Sequence, residues 1–318
     1  MKTAIFTFSK PTASSMVAGN HIARFLSVAL QTEIYWDDQI NQKWDVLYIV
    51  GGAFAFCKHL AAIGGAVEKA KRIIWVQNDY TIIPPKPESQ AESPFRAAFR
   101  NRRNRGLPDM DYWTTIKKNA TATPRSHYIN FNQLTYDPLQ PAALPRERKN
   151  AALYYGSFRA NRRAAFDHYF GMNVPWFISS PSLAFSEIYG RGDHATIWQT
   201  AKPIPRGEFR EFLSSYRVGL YIEDKRSHKE FHSPANRFYE MLGSHLTMMF
   251  EPACVPMLKE AGINVMQWVV DDEKDVRRML RNWEIEGQKQ REVWMKGVDY
   301  QKQLAKAVQF ARKDVERG

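Results

Sequence analysis

The sequence predicts an α/β fold built on doubly wound parallel sheets, and three observations support this prediction. In the N-terminal half, short apolar runs such as TAIFTF and DVLYIV alternate with helical stretches such as HIARFLSVAL, the order typical of a parallel sheet covered by helices. The run at residues 46–50 is continuously apolar and ends at two glycines, as a buried parallel strand does. The same alternation begins again after residue 150, so we expect two such sheets.

The other N-terminal elements follow the same pattern. TEIYW and RIIWVQND are predicted strands, and AAIGGAVEKA between them is a predicted helix. The second of these strands brings Asp79 to its carboxyl end, the end at which open α/β sheets bind ligands. Phe54 and Phe56 follow the paired glycines and could wedge between bases, although two phenylalanines beside a strand are more often core residues.

A change of composition marks the domain boundary. QPAALPRERKN at residues 140–150 loses the apolar period and carries two prolines, which is typical of a linker. We therefore predict a first domain at 1–148 and a second at 149–298, with a C-terminal helix at 299–318 packing back on the first. A chain of 318 residues, 44% of them hydrophobic, is long enough for two cores.

The second half supplies its own strands and helices. The predicted strands are AALYYG, PWFISS, VGLYIE and LTMMFE, with VMQWVV as a further candidate. RRAAFDHYF and RGEFREFLSSYR are predicted helices between them, and a charged helical segment follows from Asp272.

The stretch from residue 220 to residue 251 predicts an anion site. Ser233 and Pro234 are the expected N-cap and first residue of a helix that ends near Gly243. Arg237 and Glu240 are three residues apart and so share a helical face. The cation lies near the amide-rich end that attracts phosphate, with the carboxylate a turn deeper. A pyrophosphate and a ribose diol would fit this arrangement.

A second candidate anion site follows the strand AALYYG. Gly156 permits a close backbone approach, and Ser157, Arg159 and Arg163 accompany it where the strand gives way to a helix. Taken alone, this motif is also typical of an ordinary strand-to-helix turn with a surface arginine. Together with Arg237, these residues predict a clamp for a diphosphate leaving group.

Asp79 is the candidate general base. At the carboxyl end of its strand it could take a proton from an attacking hydroxyl, if two domains face each other across a cleft. The alternative is a turn or N-cap aspartate, a common role for aspartate after a strand.

Positive charge is the main compositional bias. Lysine and arginine outnumber acidic residues 45 to 33, for a formal net charge of +12, which favours a polyanionic partner or an acidic substrate. The cluster FRAAFRNRRNR could contact a phosphate backbone or form a solvated face. Its arginines are Arg96, Arg100, Arg102, Arg103 and Arg105.

Other classes of protein are disfavoured. TAIFTF is too short for a signal sequence or a membrane span, so a cytoplasmic protein without a membrane partner is expected. Cys57 and Cys254 lie in apolar surroundings and are expected to be buried thiols. His228 and His232 are four apart but lack an obvious third ligand, so no metal site is predicted. A divalent cation, Mg²⁺ or Mn²⁺, is still compatible with a diphosphate leaving group.

Several of these segments, in order and spacing, resemble the phage DNA β-glucosyltransferases of the T-even type. The similar segments are MKTAIF, DVLYIV, IIWVQND, YYGSFRANRR, GLYIEDKRSHKEF and ANRFYEMLGSHLTMMF. The resemblance spans most of the chain, and its strength lies in the shared order of the segments rather than in any one of them. It implies two Rossmann-like domains facing across a cleft, the glycosyltransferase-B architecture.

The resemblance also implies roles for residues. Asp79 falls on the family's catalytic base, and Ser157, Arg159 and Arg163 fall on residues that contact the uridine diphosphate. Arg237 would lie at the diphosphate and Glu240 at the ribose.

The activity implied is transfer of a sugar, by default glucose from UDP-glucose, to a hydroxylated base such as 5-hydroxymethylcytosine in double-stranded phage DNA. The reaction would be a single inverting displacement by a monomer in the cytoplasm of the infected bacterium. The alternatives are a transferase with a non-DNA acceptor such as a surface glycan, and a non-catalytic protein that binds nucleotide or DNA.

Two departures from the family affect substrate identity. The family's glutamate near the sugar has no counterpart in SKPTASSMVAGNH, where Ser14, Ser15 or Asn20 could take its place. The residues that probe the flipped-out base also differ, around positions 51–57.

Overall fold

The computed structural model is a mixed α/β chain with two parallel sheets. It describes residues 2–8, 18–36, 38–51, 63–77, 101–102, 104–108, 110–114, 125–129, 145, 147–190, 195–199, 206–223, 234–295 and 309. The chain divides into two compact units, one of Met1–Thr135 with Tyr300–Gly318 and one of Tyr136–Asp299. The predicted division between residues 148 and 149 stays a prediction.

The first unit contains a six-stranded sheet in the order β2-β1-β3-β4-β5-β6. Its strands are β1 (Thr3–Thr7), β2 (Ile34–Tyr35), β3 (Val46–Val50), β4 (Arg72–Gln77), β5 (Asp111–Thr114) and β6 (Ser126–Tyr128). All neighbouring pairs are parallel. Helix α1 spans Ala18–Leu30, and residues 63–69 are also helical.

Both faces of this sheet are covered. Successive strand residues point to opposite faces, so Leu47 and Ile49 pack with Ile63 from the helical residues 63–69. Tyr48, from between them, packs on the other face with Leu26 from α1. Helices on the two faces confirm the doubly wound prediction for this half.

The second unit contains a five-stranded parallel sheet in the order β11-β10-β7-β8-β9. Its strands are β7 (Lys149–Tyr155), β8 (Trp176–Ser180), β9 (Ala195–Gln199), β10 (Tyr216–Tyr221) and β11 (Thr247–Phe250). Its helices are α2 (Arg163–Phe170), α3 (Leu183–Tyr189), α4 (Arg206–Ser214), α5 (Asn236–Gly243), α6 (Val255–Glu260), α7 (Glu273–Arg281) and α8 (Trp283–Met295). The predicted α/β fold class is confirmed.

The chain reverses its direction across this sheet at β7. From β7 it proceeds to β8 and β9 on one side, and it then returns to place β10 and β11 on the other. The switch point therefore lies between β7 and β10. In open α/β sheets, ligands bind outside the carboxyl ends of the strands at such a point.

One predicted strand is wrong. Within VMQWVV, Met266–Trp268 form a 3-10 turn, and Val269 makes only an isolated bridge with Phe250. The turn buries the Trp268 side chain, whose Nε1 donates to Glu286 Oε2 at 3.0 Å. A turn is enough to bury this indole, and the apolar run alone does not distinguish such a turn from a strand.

Candidate functional site

The candidate site lies at the switch point of the second sheet. Gly219 of β10 lies opposite Leu153 of β7, so the two strands end side by side two residues further on. Gly156 follows β7, and Glu223 lies just beyond β10. The first turn of α5, with Arg237, comes to the same place. The two predicted anion motifs are thus brought together.

Gly156 is required by a close approach of Arg237. Its φ is +134°, and a Cβ built there would lie 2.6 Å from Nη2 of Arg237. The amide of Gly156 donates to Ser179 O at 3.0 Å, which fixes the turn to the neighbouring strand. Glycine was predicted here for backbone approach to a ligand, and in this structure the group that approaches is a guanidinium.

Arg237 is held by groups from three segments. Its Nη1 donates to Ile222 O at 2.8 Å, and its guanidinium carbon lies 5.1 and 5.4 Å from the ring centres of Tyr154 and Tyr155. Its side chain is 12% exposed, and Nη1 is 3.7 Å from Glu223 Oε1. In the described part of the chain, its Nε has no hydrogen-bond partner.

The surroundings of Arg237 keep it charged. Burial acts to lower its pKa, but the facing Tyr154 and Glu223 outweigh burial, with smaller contributions from Tyr155 and Glu240, and the net shift is upward. A permanently charged guanidinium with an unfilled donor is suited to binding an anion.

Glu240 lies on the same side of α5 as Arg237. Its carboxylate is buried and accepts a hydrogen bond of 2.7 Å from the Tyr155 hydroxyl, which also lies 3.3 Å from Arg237 O. The last residue of β7 therefore orients the glutamate.

The start of this helix differs from the prediction. The helix begins at Asn236 with Ala235 as N-cap, two residues later than the predicted cap at Ser233 and start at Pro234. The reason is a cap from another element, because the Ala235 amide donates to the Tyr221 hydroxyl at 2.9 Å. Arg237 is consequently in the first turn, where the amide-rich end of the helix favours anions.

Arg162 and Glu223 are part of the site, and sequence reasoning missed both. They are 8% and 7% exposed, and Arg162 Nη2 lies 2.9 Å from Glu223 Oε2. The position of Glu223 just after an apolar strand was the available signal. Arg162 stands beside Arg163 in RANRR, and sequence alone does not show which arginine turns inward.

Glu251 follows β11 at the same edge of the sheet. Burial, with a contribution from nearby Glu223, raises the pKa of this carboxyl to about 7, although Arg162 acts in the opposite direction. The carboxyl edge of the sheet therefore holds several acidic groups beside its arginines.

Three other predicted donor residues lie on the surface of the turn. Ser157 and Arg159 are exposed, and Arg159 precedes the 3-10 turn Ala160–Arg162 that leads into α2. Arg163 is exposed and pairs with Asp167, with Nε 2.7 Å from Oδ1. The Tyr189 hydroxyl also donates to that Asp167 oxygen at 2.7 Å. The predicted donor roles of these residues stay predictions.

The arginine cluster is only partly described. Arg102 is 1% exposed, and its guanidinium donates to the backbone oxygens of Val67, Ala70 and Pro108 at 2.6, 2.6 and 3.0 Å. It therefore anchors the fold, and the prediction that it contacts DNA is corrected, because carbonyl acceptors take the guanidinium. Arg105 is exposed and lies 3.5 Å from Glu68.

Several predicted residues lie outside the described part of the chain. They are Asp79, Arg96, Arg100, Arg103, Ser14, Ser15, Phe54, Phe56, Cys57, His228, His232 and Ser233. Asn20 falls within α1, although its side chain is not described.

The predicted burial of Cys254 is confirmed. Burial raises the pKa of its thiol well above the usual value. No group of three or more histidines, cysteines and acidic residues in the described ranges could hold a metal ion. Among the same residues, no helix is both long enough and apolar enough to cross a bilayer.

Comparisons by sequence find no relative. A scan against protein-family models gives no match, and a search of curated proteins gives none either.

Comparisons by structure find solved proteins that match nearly the whole chain. A structure described as the DNA modifying enzyme β-glucosyltransferase, with and without uridine diphosphoglucose, matches with a TM-score of 0.61 at 16% identity. Two structures of T4 phage BGT, a mutant with UDP-glucose and a complex with UDP and Mn²⁺, give TM-scores of 0.59 and 0.57 at 16% identity. Each of these matches covers 99% of both chains. The chain therefore has two Rossmann-like domains and the glycosyltransferase-B fold of these β-glucosyltransferase structures.

Proposed function

We propose that the chain is a glycosyltransferase that moves a sugar, by default glucose, from a uridine diphosphate sugar to a hydroxylated base in double-stranded DNA, such as 5-hydroxymethylcytosine. The observation that carries the proposal is the meeting of Gly156, Arg237 and Glu240 at the switch point of the second sheet. The similar structures were solved with UDP-glucose or UDP, which supports this choice of donor.

The donor diphosphate would bind at the turn after β7. The amides of Gly156 and Ser157, the first turn of α5 and the Arg237 guanidinium offer donors to its oxygens. Arg159 and Arg163, exposed on the neighbouring turn, would close on the same group. Glu240, already oriented by Tyr155, would accept hydrogen bonds from the ribose hydroxyls.

Transfer would be a single displacement. The hydroxyl oxygen of the acceptor attacks the anomeric carbon, the bond from that carbon to the diphosphate oxygen breaks, and the configuration inverts. Asp79 accepts the hydroxyl proton. The arginines stabilise the negative charge that develops on the leaving diphosphate. A divalent cation would supply further charge neutralisation there, but the described residues offer no cluster to hold it.

The acceptor part of the proposal rests on charge. The net charge is +12, and Arg96, Arg100, Arg103 and Arg105 would contact the phosphate backbone. The target nucleotide would have to leave the base stack to reach the sugar. Binding to duplex DNA should then weaken steeply as salt rises, whereas an enzyme for a surface glycan would show no such binding.

The experiment is mass spectrometry of nucleosides from hydroxymethylcytosine-containing DNA that has been incubated with the protein and a panel of nucleotide sugars. We expect hydroxymethyldeoxycytidine to gain the mass of one hexose residue with UDP-glucose. Asp79→Asn should abolish this gain while UDP still binds. Arg237→Ala should weaken UDP binding, and Arg281→Ala, at an exposed helix position, is the matched control.

The outcomes separate the competing functions. UDP binding without transfer from any nucleotide sugar to any acceptor would identify a non-catalytic protein. Transfer to a glycan but never to DNA would contradict the acceptor, and full turnover by Asp79→Asn would remove that residue from the mechanism.

A further inference from the structure

A buried ion pair stands beside the proposed diphosphate-binding arginine. Arg162 Nη2 lies 2.9 Å from Glu223 Oε2, and the two side chains are 7% and 6% exposed. Neither residue is exposed enough to serve as a surface ion pair, and the proposed reaction does not use either. Burial of both charges is costly unless the pair has good geometry.

Glu223 lies between the guanidinium groups of Arg162 and Arg237, at a shorter distance from Arg162. It is hydrogen bonded to Arg162, whereas its other oxygen is 3.7 Å from Arg237 Nη1, beyond hydrogen-bond distance. Arg237 Nη1 is instead occupied by Ile222 O at 2.8 Å. Arg237 is therefore within ion-pair distance of the Glu223 carboxylate but does not donate a hydrogen bond to it.

This asymmetry has an electrostatic consequence. Glu223 is the carboxylate that both guanidinium groups approach, and its hydrogen bond goes to Arg162. The charge of Arg237 is therefore not used in a direct hydrogen bond with Glu223 and remains for a ligand. A buried carboxylate that lost Arg162 would have only Arg237 within ion-pair distance among its described partners. It would pair fully with Arg237, since an uncompensated buried charge is strongly unfavourable.

We propose that Arg162 is a positioning residue of the donor site: it retains Glu223 in an ion pair and so keeps the guanidinium of Arg237 available to a nucleoside diphosphate. The inference rests on the proposed function, because it takes the diphosphate to bind Arg237. Glu223 in turn reduces the repulsion between the two arginines when no donor is bound.

Titration calorimetry with UDP tests the inference on four chains: the wild type, Arg162→Ala, Glu223→Gln and the double variant. We expect Arg162→Ala to weaken UDP binding by at least about tenfold, because the released carboxylate captures Arg237. Glu223→Gln removes the competing charge and should bind UDP at least as tightly as the wild type. The double variant should return to within about threefold of the wild type, a non-additive result expected of coupled residues.

A purely structural role predicts a different pattern. It would make the double variant as weak as Arg162→Ala or weaker, and that result would overturn the inference. Glu223→Gln binding UDP about tenfold more weakly than the wild type would also overturn it, even if Arg162→Ala does not fold. Arg281→Ala controls for the loss of one positive charge from the same unit.

Failure of the proposed function gives a separate result. If the wild-type chain binds no UDP, the donor class is wrong and the inference falls with it. If the wild type binds UDP and the double variant is not restored, only the role of Arg162 is contradicted.

Discussion

Gly156→Ala is the substitution whose effect can be worked out most fully from the geometry. The new Cβ would lie 2.6 Å from Arg237 Nη2, and ordinary contact begins at 3.4 Å, so the guanidinium must retreat by about 0.8 Å. The other neighbour, the Tyr154 hydroxyl at 3.5 Å, needs no movement. Of these two neighbours, Arg237 is therefore the one whose side chain must move.

A retreat of this size would disturb the hydrogen bond from Arg237 Nη1 to Ile222 O, now 2.8 Å long. The displaced guanidinium would also no longer meet the diphosphate at hydrogen-bond distance. Because a hydrogen bond to a charged group contributes roughly 1.5–3 kcal/mol, we expect UDP binding to weaken by roughly 10- to 100-fold. Folding stability should also fall by about 1–2 kcal/mol, because a φ of +134° is strained for alanine.

Gly262→Ala is the matched control. Gly262 lies in the same unit with a φ of +82°, but a Cβ there would meet nothing within 4 Å. It should lose a similar amount of stability in urea unfolding and bind UDP like the wild type in calorimetry. Binding of UDP by Gly156→Ala within twofold of the control would refute the reasoning.

Four further substitutions test the neighbouring charges and the arginine cluster. Tyr155→Phe removes the 2.7 Å donor to buried Glu240, so urea unfolding should show a loss of roughly 1–3 kcal/mol, with weaker UDP binding as well; unchanged stability and affinity would contradict this. The pKa of Glu251 is raised from 4.5 to about 7, so its protonated form stabilises the fold below pH 4.5 and that stability is lost as pH rises through 7. Glu251→Gln should therefore gain on the order of 1–3 kcal/mol at pH 8 and lose pH dependence across that window, and an unchanged pH profile would contradict the assignment. Arg105→Ala should lower the slope of log K against log salt concentration for duplex DNA binding by about one. Arg102→Ala leaves buried carbonyl groups without a donor. It should therefore reduce the free energy of unfolding by roughly 2–5 kcal/mol.

The elements that the sequence predicts well are those with a strong local pattern. VLYIV is a continuous apolar run, TMMF is apolar after its first residue, and both are fully buried strands in the structure. Strands β5 and β6 were not predicted, because DYWT and SHY are short and partly polar. These two segments are strands because β5 pairs with β4 and β6 pairs with β5. The sequence of a short segment does not show which strand it will pair with.

In the candidate site too, some features follow from local sequence and others depend on distant residues. The Gly156 turn and the Arg237–Glu240 face follow from local rules of turns and helices. The cap on Ala235 comes from Tyr221, 14 residues earlier, and the burial of Arg162 depends on Glu223, 61 residues later. Similarly, Arg102 is buried by carbonyl groups of residues 67 and 70. Such long-range partners decide which member of an arginine run turns inward.

A crystal structure of the chain with UDP bound would test the proposed donor site more directly than any variant. We expect the diphosphate to contact the amides of Gly156 and Ser157 and the guanidinium of Arg237, with the ribose hydroxyls at Glu240. Nucleotide bound elsewhere on the chain, without contact to Gly156, Arg237 or Glu240, would contradict the proposed donor site.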